Sequence, residues 1–292
     1  MSLKDYVEKY SGEADATDTE FNFQTKVSSA LTYIPAFIIS DINNSVSTAG
    51  ARNVLNSINT TKSKLHPVIM PATTPETLSA HLKLFDQTKN DWRYPSKGEK
   101  RIDLKTGLHI TGYGANDIEK VISCMVSHMR CWLVAATYRH PCVILEHDAI
   151  FVKKLDFYEK ASEENGGRSL DHVGSGIIGL NNPKGATRKS SVYYDSVVES
   201  INKSTPQQQT YGRHQVVDAP WVDDNRDAPQ GLAGNSAYII KPDMARSLFT
   251  KCEEIGLWPN DALMCKQIFP FKLKQIYPFV TELQGVKSTT QG

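Results

Sequence analysis

Pro141-Cys142-Val143-Ile144-Leu145-Glu146-His147-Asp148 is the stretch on which the reading of this chain turns. Val143 to Leu145 suffice for a short buried strand, and the chain then sets two carboxylates one residue apart. Residues i and i+2 of a strand face the same way. Glu146 and Asp148 are therefore predicted to converge on one point, with His147 turned away. Carboxylates at the carboxyl end of a buried strand in an α/β sheet suit a hard divalent cation, above all one shared with phosphates. Taken alone, a Glu-x-Asp triplet reads equally well as a solvated turn, so the weight falls on its surroundings.

Upstream, Asn116 is placed to cap a helix from Asp117 to about Tyr138. Ile118, Val121, Ile122, Met125, Met129, Trp132, Leu133 and Ala136 form its apolar stripe at helical spacing. Ser127-His128 sits on this helix, which leads straight into the acidic strand. The string from Cys124 to Trp132, followed by Val143-Ile144-Leu145-Glu146-His147-Asp148-Ala149-Ile150, resembles glycosyltransferase family 25, the family of lipopolysaccharide-type sugar transferases and collagen galactosyltransferases. The family's usual form is a Cys-x-x-Ser-His helix and then Ile-Leu-Glu-Asp-Asp. Here its central Asp is His147, and the acidic residue the family often carries about seven places before the motif His falls on Val121.

The resemblance extends over most of the chain. Ile34 to Ser40 reads as a first strand, Ala51 to Asn59 as a helix carrying Arg52, and Pro67 to Met70 as a second strand. Gly234-Asn235-Ser236-Ala237-Tyr238, the strand after it and Pro242 at a helix start resemble the family's Gly-x-x-Ala-Tyr unit. Trp258-Pro259-Asn260-Asp261 resembles its Pro-x-Asp element. The resemblance implies an α/β nucleotide-sugar-binding sandwich of the glycosyltransferase A type, mostly parallel, with helices on both faces. One domain, 34–280, is expected between a peripheral segment 1–33 and a polar tail 281–292.

What the resemblance implies for chemistry is inverting transfer of a sugar from a uridine diphosphate donor to an acceptor hydroxyl. Mn²⁺ or Mg²⁺ would be held by Asp148 and Glu146. Donor contacts would come from Ser40, Arg52, Ser127, His128, Glu146 and Gly234. Asp261 is the candidate general base, with Asp223 and Asp224 in reserve, and the competing reading of Asp261 is a helix N-cap. No His follows His214, so a late histidine closing a metal shell is not available.

Two polar insertions, near 86–117 and 181–230, are expected as loops walling an acceptor. They carry Trp92, Tyr94 and Arg101, then Lys184, Arg188 and Lys189. The acceptor is either a lipopolysaccharide-type glycan or, as related chains of tailed phages suggest, a hydroxymethylated base in DNA, which those aromatic and basic residues would suit. The reading from another class is an inactive glycan- or nucleotide-binding module. Retention of both Glu146 and Asp148 argues against it.

Composition bounds these readings. The 292 residues are 40% hydrophobic and 22% charged, as in a soluble globule of one large or two small domains. Met1 to Tyr6 lacks the apolar core of a signal peptide, and no apolar run approaches the roughly 18 residues that span a bilayer. The cysteines, five in number, are odd and show no framework spacing, which points to reduced thiols and a cytoplasmic setting. Cys124, His128 and Cys131 share a helical face, and Cys142 follows. A zinc site built from both thiols is opposed by the roughly 10 Å of helix axis between i and i+7.

Overall fold

The computed structural model describes residues 34–138, 141–156, 175–185, 189–203, 210–211 and 214–285. Segment 1–33 and Arg188 lie outside the described residues. Strands β1 (Ile34–Ser40), β2 (Leu65–Pro71), β5 (Cys142–Glu146), β7 (Ile177–Gly179), β8 (Thr210–Tyr211), β9 (His214–Asp218), β10 (Ala237–Ile240) and β11 (Leu273–Tyr277) form one sheet in the order β2-β1-β5-β10-β7-β11-β9-β8. The pairing β1 with β2, β1 with β5 and β7 with β11 is parallel, and the remaining pairs are antiparallel. Following those directions across the sheet, every strand except β9 and β10 points the same way. The α/β class, the mostly parallel sheet and helices on both faces are as the sequence predicts.

The near-continuous apolar strands follow from burial on two sides. Along β1, Ala36 and Ile38 join one core while Phe37 and Ile39 join the other. Val143 and Leu145 alternate with Ile144 in β5, and Ala237 and Ile239 with Tyr238 and Ile240 in β10. Helix α1 (Ser45–Thr61) covers the first face. Helices α2 (Pro75–Lys83), α3 (Ile118–Tyr138), α4 (Ser190–Lys203) and α5 (Pro242–Ile255) supply the second. Each fully buried Ile, Leu or Val contributes about 1.5–3 kcal/mol, so β5, with Val143 to Leu145 wholly inaccessible, is strongly anchored. Glu146 has the parity of Ile144 and therefore leaves the sheet on the α3 side.

Several expectations are corrected. Asp117 rather than Asn116 caps α3: its Oδ1 accepts from Glu119 N at 3.0 Å, whereas Asn116 Oδ1 accepts from Lys97 Nζ at 2.6 Å. The helix carrying Arg52 is longer than 51–59, because Asn44 caps it through Val46 N and Ser47 N. The insertions are built as well as looped. The first contains the hairpin of β3 (Lys100–Ile102) and β4 (His109–Thr111) and sends Tyr94, Leu108 and Ile110 into the core. The second contributes α4, β8 and β9, the last two extending the central sheet.

The tail also departs from expectation. Thr281–Leu283 is β12, paired antiparallel with β6 (Ala149–Phe151). Gln284 Nε2 then donates to Gly50 O at 3.1 Å, His147 O at 3.0 Å and Ala149 O at 2.9 Å, and Gln284 N donates to Asp148 O at 2.8 Å. This one side chain ties the acidic turn to α1. Residues 286–292 lie outside the described residues.

Gly50 permits that approach, since a Cβ there would stand 2.5 Å from His147 O. Overpacking of this kind costs about 1–3 kcal/mol. Gly50→Ala is expected to lower the unfolding free energy by that amount, read as a lower urea midpoint at unchanged slope, whereas an unaltered midpoint would mean that α1 is free to move away from the turn.

Candidate active site

At the carboxyl end of β1 and β5 lies a cleft of ≈ 760 Å³. Its walls come from Ile39 near the end of β1, Asp41 just after it, the starts of α1 (Asn44, Ser47), α2 (Thr73 to Thr77) and α3 (Asp117, Lys120), and the turn Glu146-His147-Asp148. Three helix amino termini thus face one space, each with the partial positive charge that favours an anion. A cavity of ≈ 700 Å³ between Pro141 and Arg246 opens at the other end of β5, and Glu146 does not border it.

The two carboxylates border one cleft within electrostatic reach of each other, by a route that differs from strand alternation. β5 stops at Glu146, and His147 with Asp148 form a turn into β6. His147 packs its ring against Gly50 and still borders the cleft, so it is not turned away from it. Asp148 Oδ1 is buried without a hydrogen-bond partner. Burial, and then the Glu146 charge, push the Asp148 carboxyl up to about 7. A second negative group drawn into a half-closed site raises a carboxyl in this way, and a cation lowers it again. An orphaned buried oxygen beside a second carboxylate fits a divalent cation.

Helix α3 works on both walls through adjacent residues. Ser127 Oγ donates to Ser123 O at 2.8 Å and accepts from Thr73 N at 2.8 Å, fixing the loop before α2. His128, 1% exposed, lies with Nε2 3.3 Å from Glu146 Oε1 and Nδ1 2.8 Å from Tyr238 Oη. Trp132 Nε1 donates to that same hydroxyl at 2.8 Å. Among the described residues, Cys124, His128 and Glu146 bring one ligand atom each within 4.8 Å of one another, and Cys131 is not part of that group. The cysteines are all free.

Asp261, in the short helix α6 (Asn260–Leu263), faces the same region. Its Oδ1 accepts from Tyr113 Oη and from Ala262 N at 2.9 Å. The N-cap of α6 is Pro259, so the competing N-cap reading of Asp261 does not hold. Asp261 is open to solvent yet protein surrounds it, and this environment raises its carboxyl above the ordinary range. Tyr113 and Ala262 oppose that rise, and the Glu146 charge adds to it. Half-buried Cys124 is within electrostatic reach of all three acids: its thiol is pushed well up by desolvation first and then by Glu146, Asp261 and Asp148.

Other predicted residues lie apart. Ser40 is buried, 3.2 Å from Ser47 Oγ, and it is Ser47 that borders the cleft. Arg52 is exposed on α1 and does not line it. Asp223 pairs with Lys189, whose hydrogen bond holds its carboxyl below the usual range, and Asp224 is exposed. Lys184 sits 4.3 Å over the Tyr194 ring, and Arg101 donates to Arg93 O. Tyr94 is buried with Tyr113 stacked on it at 5.6 Å and presents no free face, whereas Trp92 is half-buried against the core. Gly234, at φ +75°, shapes the loop whose Ser236 O accepts from Glu146 N at 2.7 Å.

Sequence reasoning passed over Tyr113, Tyr238, Gln284 and Asn235. Both side-chain polar atoms of Asn235 are buried without partners at this same end of β5. Only the Ala-Tyr of the Gly-x-x-Ala-Tyr unit hinted at any of them.

Residues 95–264 match the family model described as glycosyltransferase family 25 (LPS biosynthesis protein). The chain belongs to glycosyltransferase family 25. No curated protein matches it. Among solved structures it is similar to mouse xyloside xylosyltransferase 1 in its apo form, at 11% identity over 82% of this chain and 83% of that one, with a TM-score of 0.35. The motif residues of this family 25 chain, Ser127, His128, Glu146 and Asp148, all border the cleft. Among the described residues no helix is long and apolar enough to cross a membrane.

The raised Asp148 carboxyl has a stability consequence. The folded chain holds that proton more tightly than the unfolded one, so the contribution of Asp148 to stability is greatest below the ordinary aspartate range and is lost as pH rises towards 7. Asp148→Asn is expected to abolish that fall and to stabilise the metal-free protein at about pH 8 by about 1–3 kcal/mol, read from thermal unfolding. Parallel pH profiles for the two proteins would place Asp148 in open solvent.

Proposed function

We propose that this enzyme moves a sugar from a uridine diphosphate donor to a hydroxyl of a lipopolysaccharide-type glycan, with inversion and with a divalent cation. The observation that carries the reading is the cleft that Glu146 and Asp148 border together with the starts of three helices. The cleft volume is in the range of ligand sites. Asp148 and Glu146 would hold the cation, which supplies neutralisation of the diphosphate charge as it departs. Lys120 and the starts of α1 and α2 suit the phosphates, and Ser127 keeps Thr73 in place among them.

Asp261 serves as the base. Its Oδ1 is committed to Tyr113 and Ala262, so Oδ2 is the oxygen available to an acceptor hydroxyl. The hydroxyl oxygen bonds to the anomeric carbon, its proton passes to Asp261, and the bond from that carbon to the diphosphate breaks. A carboxyl raised above the ordinary range is a better base near neutral pH than a surface aspartate. A hydroxymethylated base in DNA is the less supported acceptor, because Lys189, Lys184 and Arg101 are turned to Asp223, Tyr194 and Arg93 of the protein itself.

Calorimetry with uridine diphosphate tests the donor side: binding is expected with Mn²⁺ or Mg²⁺ and to collapse with chelator or in Asp148→Asn. Metal-independent binding at full strength would remove the acidic pair from the donor site.

Asp261→Asn is expected to keep donor affinity while transfer falls by about 100-fold or more. In Tyr113→Phe the carboxylate loses a donor, so the acid limb of the rate profile should move to higher pH. Wild-type turnover in Asp261→Asn would end its role as base. Duplex DNA carrying hydroxymethylated bases, offered with the same donors, is expected to gain no sugar mass.

A further inference from the structure

Trp132 and Tyr238 are sealed from solvent, and His128 is nearly so. An indole N–H only donates, so Tyr238 Oη accepts from Trp132 Nε1 at 2.8 Å. The Tyr238 hydroxyl proton then needs an acceptor where no water reaches. His128 Nδ1, at 2.8 Å, is the other partner of that hydroxyl. An accepting Nδ1 carries no proton, which leaves the ring proton on Nε2, directed at Glu146 Oε1 at 3.3 Å. The stacked His128 and Tyr238 rings, 5.8 Å apart at 18°, leave the imidazole little freedom to turn.

We propose that His128 is a positioning residue. The Trp132–Tyr238 pair locks it in the Nε2–H tautomer, and it holds Oε1 of Glu146 so that Oε2 faces the cleft beside Asp148. The inference deepens the functional reading above and rests on it for the role of Glu146. It separates His128 from the ligands of donor and cation, since a protonated Nε2 has no lone pair to offer. The cluster of Cys124, His128 and Glu146 is then an anchored carboxylate beside a neutral thiol. The opposite tautomer would free Nε2 for a metal, but it would leave the Tyr238 proton buried without an acceptor, at a desolvation cost.

The tautomer can be read without any assay of transfer. In full-length protein labelled with ¹⁵N-histidine, the His128 resonances are those missing from His128→Asn. They are expected to show an unprotonated Nδ1 and a proton on Nε2, with or without Mg²⁺ and uridine diphosphate. Tyr238→Phe should convert that single state into a mixture. A proton on Nδ1, or an Nε2 signal displaced by metal, would overturn the proposal.

A side-chain pair tests the consequence. A glutamine amide reaches where Nε2 sits and keeps the donor to Glu146, whereas asparagine reaches only the Nδ1 position. With hydrolysis of a panel of uridine diphosphate hexoses as readout, His128→Asn should lose about 10- to 100-fold in kcat, and His128→Gln should recover most of that loss. Equal losses in both, tracking their melting temperatures, would reduce His128 to a packing residue. A wild-type protein that shows the expected tautomer but turns over no donor would sink the functional reading and leave the hydrogen-bond assignment standing.

Discussion

Burial of β5 on both faces is the constraint from which the site follows. The strand lies between β1 and β10, and Val143, Ile144 and Leu145 have no contact with water. A strand held so firmly can end only where its side chains change character, and it ends at Glu146. Because Glu146 shares the parity of Ile144, it emerges towards α3, where His128 is waiting. Moving the register by one residue would turn the carboxylate to the α1 face and separate it from the imidazole. The chemistry therefore inherits its precision from apolar packing.

Like charge is the second organising force. Glu146 and Asp148 are brought together by the backbone, and Asp261 comes within electrostatic reach, although the Glu146 charge opposes ionisation of both aspartates. The fold tolerates this through hydrogen bonds that two of the acids receive from elsewhere: His128 for Glu146, Tyr113 and Ala262 for Asp261. Of these three acids, only Asp148 has a buried oxygen without a partner. An imbalance of this kind is characteristic of sites in which a ligand completes the polar network.

Local pattern made much of this legible. Strand β1 was bounded correctly from Ile34 to Ser40 because its apolar run has clear edges, and α3 was within one residue at its start because its stripe is long. Ser127, His128, Glu146, Asp148 and Asp261 could be named because each lies in a short motif. What escaped shares one property, separation along the chain. Tyr113 is 148 residues from Asp261, and Tyr238 is 110 from His128. Turn geometry was equally hidden: nothing in Glu146-His147-Asp148 says that the strand stops at its first residue. Tyr94 shows the limit of composition: an aromatic residue in a polar stretch resembles a ligand platform, yet it is covered by Tyr113 and Trp258.

Gln284 gives the molecule an order of assembly. The acidic turn, its supporting strand β5 and the helix α1 are all made long before this residue, yet their mutual fastening runs through its single amide. β12, which delivers it, needs β6 as a template and so cannot form until the first half of the chain is in place. The amide reaches back 234 residues to Gly50 and 137 to His147, so the acidic centre and the strand that carries it are closed by separate, distant parts of the described sequence.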